Sequence, residues 1–151
     1  RLILSPNKMK DLQLENFPSI TFDKLRYADT DRQGHVNNAV FSTFLETGRV
    51  SFLYNADMPV LPEGASFVIA SLQLNFLREI KWPGQVDIGT GILRIGNSSL
   101  QLLQHLFQNG QRVATAETVV VQVDDASGKS RPITAEAKAI LQDWILTNSE
   151  E

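Results

Sequence analysis

The chain has 151 residues, of which 42% are hydrophobic and 21% charged, and its formal net charge is −3. These values predict one compact domain over residues 1–151 and exclude a disordered chain, although residues 1–18 could be a flexible leader and residues 147–151 a tail. The scattered basic residues argue against a nucleic-acid partner, and the absence of cysteine excludes disulfides, thiolate nucleophiles and Cys-ligated metals.

The first predicted elements are a strand and a long helix, joined by a polar loop. Residues 19–27 alternate imperfectly between apolar and polar side chains, which predicts a strand. The loop at residues 27–38 reads YADTDRQGHVNN. Asn37 or Asn38 is expected to cap the following helix, which ends in the proline-containing stretch 58–62. Apolar residues recur there at the spacing of one buried helical face: Phe41, Phe44, Leu45, Gly48 and Phe52.

The remaining sequence predicts four strands and a terminal helix. From Ser66 the pattern has period two, and these residues are expected to share one strand face: Val68, Ala70, Leu72, Leu74, Phe76 and Ile80. Further strands are predicted at residues 86–95, 100–108 and 113–123. Asn109-Gly110 predicts a tight hairpin, and Thr134 is expected to cap a helix over residues 135–146. The element order indicates an α+β fold in which about five antiparallel strands curve around the long central helix.

Three motifs carry a family resemblance. They are Asp31-x-x-Gly-His-Val-Asn-Asn38 in the loop, Phe44-Leu-Glu-x-x-Arg49 in the helix and Asn75-Phe-x-Arg78 on the next strand. From about Thr21 to the terminal helix, the chain resembles the hotdog-fold thioesterases of the 4-hydroxybenzoyl-CoA thioesterase family, particularly their long-chain acyl-CoA thioesterase branch. The resemblance implies a hotdog fold and hydrolysis of an acyl-CoA thioester to a free acid and CoA, without a cofactor.

The resemblance also implies roles for five residues. Asp31 matches the catalytic carboxylate, which acts either as a nucleophile or as a general base. The backbone N–H of Asn38, or of a neighbour, would polarise the thioester carbonyl at the helix start, and Gly34 would let the chain turn between the two groups. His35 is expected to orient a side chain or the ligand, with acid–base catalysis as the alternative. Arg78 could contact the CoA phosphates or could be a solvated strand-end charge.

Glu46 is the rival to Asp31, because another branch of hotdog thioesterases carries its catalytic carboxylate on the central helix. The interpretation favoured here is that Glu46 pairs with Arg49 one helical turn later. No metal site is expected, since the two histidines have no third ligand nearby. The alternative functions are an acyl carrier protein thioesterase and a non-catalytic acyl-binding hotdog module.

The predicted sheet also has consequences for assembly and location. Its edge strands have unpaired backbone groups, and hotdog relatives join through such edges, so a homodimer or homotetramer with active sites at the dimer interface is expected. Residues 67–77 are the predicted seam. No apolar run approaches the roughly 18 residues of a membrane span, and the first ten residues lack a secretory signal, so a cytoplasmic location is expected.

Overall fold

The computed structural model describes residues 4–147. In chain order its helices and strands are α1 (Pro6–Asp11), β1 (Ser19–Lys24), α2 (Val40–Leu53), β2 (Ala65–Phe76), β3 (Gln85–Ile95), β4 (Ser99–Gln108), β5 (Gln111–Asp124) and α3 (Ala135–Leu141). Short 3₁₀ turns occur at Leu14–Asn16, Tyr27–Asp29 and Gln142–Trp144. The strands form one antiparallel sheet in the order β1-β3-β4-β5-β2. The predicted α+β class and the five-stranded sheet are confirmed.

Helix α2 lies against the inner, concave face of the sheet. All five residues of its predicted apolar face are buried: Phe41, Phe44, Leu45, Gly48 and Phe52. Gly48 lets the helix approach closely, because a Cβ there would lie 2.6 Å from side-chain atoms of both Ile88 and Gln104. At this close approach, Gln104 Nε2 donates hydrogen bonds to the backbone O of Leu45 and to Thr90 Oγ1, each at 3.0 Å. Buried hydrogen bonds therefore join the helix to β3 and β4.

The two predicted helix caps have different outcomes. The side-chain cap expected from Asn37 or Asn38 is wrong, because α2 begins after Ala39 and has no side-chain cap. Asn37 Oδ1 instead accepts the N–H of Ala39 at 3.0 Å, a local bond that removes it from the first helical turn. The cap of α3 is confirmed, since Thr134 Oγ1 accepts the N–H of Ala137 at 3.0 Å.

Strand β2 differs from its predicted pattern. Its pairing with β5 shifts register between Ile69 and Ser71, and this irregularity places Val68 opposite Val121 on the outer face. Of the predicted face, the strand residues after the irregularity lie opposite the inner face of β5: Leu72, Leu74 and Phe76. The predicted common face is therefore wrong for Val68. Because β2 is an edge strand, Ile69 and Phe76 are also 48% and 49% exposed.

Segments near both ends of the described chain cover the outer face of β3. A Cβ on Gly89 would lie 2.5 Å from the Phe17 ring, and one on Gly91 would lie 2.5 Å from Leu146 Cγ. Phe17 and Leu146 share an apolar cluster with Leu4. From residue 4 onward the expected leader thus contains α1 and packs on the sheet, while residues 1–3, and 148–151 of the expected tail, lie outside the described residues.

Within that described range, no helix has both the length and the hydropathy that crossing a membrane would require.

Candidate functional site

The polar loop before α2 is folded by its own backbone hydrogen bonds. The N–H of Asp31 donates to the O of His35 at 2.7 Å, and the N–H of Gly34 donates to the O of Asp31 at 3.1 Å. Gly34 has a φ of +81°, which a residue with a Cβ adopts only with strain. The turn predicted for Gly34 is present. A bond of 2.8 Å from the N–H of Val36 to the O of Ile80 anchors the loop to the segment after β2.

The Asp31 carboxylate has one engaged and one free oxygen. Oδ1 accepts the backbone N–H groups of Gln33 at 2.8 Å and His35 at 3.1 Å. Oδ2 has no hydrogen-bond partner among residues 4–147, and the side chain is exposed. The geometry thus allows Asp31 to brace the loop through one oxygen while the other oxygen meets a ligand.

The loop, the start of α2 and the segment after β2 enclose an open cleft of about 400 Å³. Its lining residues are Asp31, Gln33, His35, Val36, Asn38, Phe41, Phe76, Leu77, Arg78 and Glu79. Four of the five predicted site residues, Asp31, His35, Asn38 and Arg78, therefore line one cleft. Gly34 lies in the loop between them and does not line it. The cleft combines charged groups at the loop with an apolar wall of aromatic and aliphatic side chains.

Asn38 lines this cleft just before α2, and its backbone N–H is available as a donor. The first turn of α2 begins with the N–H of Val40 on the O of Asn37 at 2.9 Å and the N–H of Phe41 on the O of Asn38 at 3.3 Å. The N–H of Asn38 itself has no acceptor in the part of the chain that the structure describes. N–H groups at a helix start carry a partial positive charge, so this position can bind a carbonyl oxygen that gains negative charge.

Arg78 supplies an unneutralised cation to the cleft. Its backbone N–H donates to the O of Val113 at 3.1 Å, which fixes its Cα beside the start of β5. The guanidinium is exposed and makes no ion pair or side-chain hydrogen bond with any residue from 4 to 147. Such a group can bind a phosphate or carboxylate without breaking an existing contact.

The structure also brings Glu79 to the cleft, which the sequence reasoning missed. Glu79 Oε1 lies 3.2 Å from His35 Nδ1. An isolated β-bridge between His35 and Lys81 aligns the two segments. The sequence signal for Glu79 was the polar pair Arg78-Glu79 shortly after an apolar strand. The contact of this pair with the loop depends on tertiary folding, so the sequence pattern does not reveal it. His35 thus has an acidic neighbour, which no local motif revealed.

Glu46 and Arg49 do not form the predicted ion pair. Glu46 is exposed and is not among the residues lining the cleft. Arg49 is 8% exposed, and burial lowers its pKa against the opposing attraction of Glu46. Its Nη1 has no hydrogen-bond partner among the described residues. The pairing expectation is wrong because the two side chains point to different environments, one toward solvent and one toward the protein interior.

Asp29, the other acid of the loop, has a structural environment. Its side chain is 3% exposed and accepts the backbone N–H of Arg26 at 2.9 Å and its guanidinium at 2.8 Å. Burial raises the pKa of Asp29, but the hydrogen bonds from Arg26 outweigh it and leave the pKa below its ordinary value. Asp29 therefore holds the start of the loop in its ionised form.

His105 lies away from the cleft, buried on the outer face of β4. Its Nδ1 accepts the Nε–H of Arg112 at 3.1 Å, so it is a packed core histidine. Across residues 4–147, no three His, Cys, Asp or Glu side chains are grouped closely enough to hold a metal ion.

Solved structures and known sequences can be compared with this arrangement. A thioesterase from Thermus thermophilus, crystallised with coenzyme A and Zn, is 27% identical; the match covers 86% of this chain and 96% of that one, with a TM-score of 0.75. A predicted thioesterase from Bacillus stearothermophilus is 26% identical over 87% of this chain and 98% of that one, also with a TM-score of 0.75. Both similarities therefore extend over most of this chain and nearly all of the other.

Sequence relatives agree with the structural ones. The uncharacterised protein YsmA of Bacillus subtilis strain 168 is 32% identical over 119 residues, which cover 78% of this chain and 80% of that protein. The family model described as the thioesterase-like superfamily matches residues 25–144, which include the polar loop, α2 and all of β2 to β5. The chain therefore belongs to the thioesterase-like superfamily.

Proposed function

We propose that the protein hydrolyses acyl-CoA thioesters to a free acid and CoA. The observation that carries the proposal is that Asp31 and Asn38 line the same cleft, one with a free carboxylate oxygen and the other with a free backbone N–H. Thioester hydrolysis needs both groups, a carboxylate to attack the carbonyl carbon or activate water and a donor to stabilise the oxyanion. Membership of a thioesterase-like superfamily supports the same reaction.

The remaining cleft residues suggest how the substrate is held. The apolar wall formed by Val36, Phe41, Phe76 and Leu77 suits an acyl chain, and the free guanidinium of Arg78 suits a CoA phosphate. A thioesterase of similar structure was crystallised with coenzyme A, which supports CoA as the carrier. Inhibition by free CoA would favour CoA thioesters over acyl carrier protein thioesters. Binding of acyl-CoA without release of thiol would instead indicate the non-catalytic acyl-binding module.

The test of Asp31 is thiol release from acyl-CoAs of short, long and aromatic acyl groups, followed with a thiol-reactive dye. Asp31→Asn should lower kcat by about 100-fold or more, the scale of lost acid–base catalysis. Asp143→Asn makes the same chemical change on an exposed acid outside the cleft and should retain wild-type kcat. Glu46→Gln should also remain active. Full activity in the Asp31 variant would refute the assignment.

A second pair of variants tests the backbone donor of Asn38. Asn38→Pro removes the N–H, whereas Asn38→Ala keeps it and removes only the side chain. We expect the proline variant to lose kcat by about 100-fold, the typical effect of deleting an oxyanion donor, and the alanine variant to remain within a few-fold of wild type. Circular dichroism and thermal melting would establish that both variants fold. Equal activities would show that this amide does not contact the reacting carbonyl.

The exposed edge of the sheet supports the proposal that two copies pair through β2. Ile69 and Phe76 on β2 are each about half exposed, as are Val50 on α2 and Tyr54 directly after it. An exposed apolar edge strand is a template for pairing with another strand. The cleft includes Phe76 and Leu77 at the end of this strand, so a second copy would lie beside it. Light scattering should show a dimer or tetramer, and Ile69→Asp should shift the assembly toward the monomer.

A cytoplasmic location stays a prediction.

A further inference from the structure

Helix α2 contains a buried arginine whose charge is not neutralised. Arg49 is 8% exposed, and its Nη1 has no hydrogen-bond partner among residues 4–147. It forms no ion pair with any of these residues, and Glu46, the acid one turn earlier, is exposed to solvent. A buried charge without a partner destabilises a fold. The partner of Arg49 is therefore an anion that the described residues do not supply.

The packing of α2 shows in which direction Arg49 projects. Thr47 Oγ1 donates to Asp23 Oδ2 at 2.9 Å, so this side of the helix faces β1. A Cβ on Gly48 would lie 2.6 Å from Gln104 Nε2, so the next side faces β4. Successive helical residues are rotated by about 100°, which directs Arg49 away from β1, over β5 and β2.

The inner face of β5 has an unsatisfied hydroxyl at the same level. Thr118 is fully buried, and its Oγ1 has no partner in the part of the chain that the structure describes. The inward-facing residue before it, Ala116, is paired with Gln104 beneath Gly48. The inward-facing residue after it packs in the cluster of Phe52. Thr118 is therefore level with the helical turn that carries the arginine. A water molecule could complete the hydrogen bonds there, but only an anion neutralises the charge.

This polar position is in line with the apolar wall of the cleft. Phe41 of α2 and Phe76 of β2 line the cleft, and their rings meet at 4.9 Å between centroids. Arg49 lies about 12 Å farther along the helix than Phe41. Leu72, opposite Thr118, lies about 13 Å farther along β2 than Phe76. Leu72 and Phe76 are 38% and 49% exposed, so α2 does not cover this stretch of β2.

We propose that Arg49 and Thr118 bind a carboxylate at the far end of the acyl group, which makes the substrate class the CoA monothioesters of dicarboxylic acids. The inference rests on the proposed function, which places the thioester carbonyl between Asp31 and Asn38. The guanidinium and the hydroxyl donate to the carboxylate, and the apolar side chains before them contact the methylene chain. An extended chain gains about 1.2 Å per bond, so about 12 Å corresponds to acyl groups of roughly eight to ten carbons.

The first experiment measures selectivity through thiol release from decanedioyl-CoA and from decanoyl-CoA, which has a methyl group in place of the far carboxylate. The wild type should have the higher kcat/KM for decanedioyl-CoA. Arg49→Met keeps an unbranched side chain and removes the charge, and it should lower the ratio of the two kcat/KM values by about 10- to 100-fold. Thr118→Val should lower this ratio roughly three- to tenfold. Arg94→Met, the same change on an exposed arginine of β3, is the matched control and should leave the ratio unchanged.

Ligand binding provides a readout that does not depend on catalysis. Free decanedioate should raise the Tm of the wild type more than decanoate does, and Arg49→Met should abolish this difference. A wild type that does not prefer decanedioyl-CoA, or equal ratios in the Arg49 and Arg94 variants, would overturn the inference. A monomeric Arg49→Met variant beside an oligomeric wild type in light scattering would also overturn it, because a second copy of the chain would then supply the missing partner.

Failure of this inference is distinguishable from failure of the proposed function. If the wild type hydrolyses decanoyl-CoA and decanedioyl-CoA equally well, the proposed function stands and the inference falls. If it releases no thiol from any acyl-CoA, the proposed function falls, and the shift in Tm with decanedioate still decides whether Arg49 binds a carboxylate.

Discussion

The buried histidine on the outer face gives the protein a specific sensitivity to acid. His105 is 1% exposed, and its ring meets the Phe17 ring edge-on at 5.0 Å between centroids. Burial, reinforced by the nearby Arg112 cation and opposed by a hydrogen bond to Leu12, lowers the pKa of His105 from 6.5 to about 4. The unfolded chain therefore binds this proton more readily than the folded chain, and acid favours unfolding.

The size of the effect follows from the two pKa values. Stability from neutral His105 is fully present above pH 6.5 and is lost as pH falls toward about 4. The complete loss corresponds to about 3 kcal/mol, of which about 2 kcal/mol is already gone at pH 5. The protonated ring could no longer accept the Arg112 Nε–H, which is consistent with this sign.

Urea unfolding of the wild type and of His105→Asn at pH 8 and pH 5 measures this contribution. Asparagine can still accept a hydrogen bond but does not titrate in this range. We expect the variant to be less stable at pH 8 because of the smaller side chain, yet to lose about 2 kcal/mol less than the wild type between the two pH values. Equal losses in both proteins would refute the reasoning, because the acid sensitivity would then come from other groups.

Three further predictions concern packing and buried polar groups. Gly89→Ala should destabilise the fold by about 1–3 kcal/mol through its clash with Phe17, and by clearly less in a Phe17→Ala background. Thermal melts of the wild type, the two single variants and the double variant test this. Thr118→Val should stabilise the fold by about 1 kcal/mol in urea unfolding, because the buried hydroxyl has no partner among the described residues. Asp29→Asn should cost about 1–3 kcal/mol at pH 7 through weaker bonds to Arg26. Because the pKa of Asp29 is lowered in the fold, the stability difference between the wild type and Asp29→Asn should shrink below about pH 4. A difference of the same size at that pH would contradict the prediction.

The parts of the fold that depend on local sequence were predictable. The apolar face of α2 follows from helical spacing, and Asn109 and Gly110 have the positive φ angles of 52° and 79° that their hairpin requires. Alternation on β2, by contrast, shows that side chains point to opposite faces but not how deeply they are buried. The irregularity near Ala70 and the edge position of the strand are properties of the whole sheet.

The candidate site was likewise predictable only where its residues are close in sequence. Asp31, Gly34 and the start of α2 are close in sequence, so one motif could indicate their common cleft. Glu79 reaches His35 only because the segment after β2 bonds to the loop, and sequence spacing cannot give that contact. Asn37 or Asn38 was expected to cap the helix, but α2 has no side-chain cap and the Asn37 side chain accepts from the N–H of Ala39. A backbone N–H left without a partner has no signature in the side-chain pattern.

The two glycines of β3, Gly89 and Gly91, place segments from both ends of the described chain side by side on the sheet. Gly89 and Gly91 are neighbours on one strand face, so Phe17 and Leu146 are seated roughly 7 Å apart along it. Leu146 is also held by a 2.8 Å bond from its N–H to the O of Ile92. If the segment carrying Phe17 lifts from the sheet, it exposes apolar surface directly beside Leu146. Hydrogen exchange should therefore show the Leu146 amide opening together with the N-terminal segment as one cooperative unit.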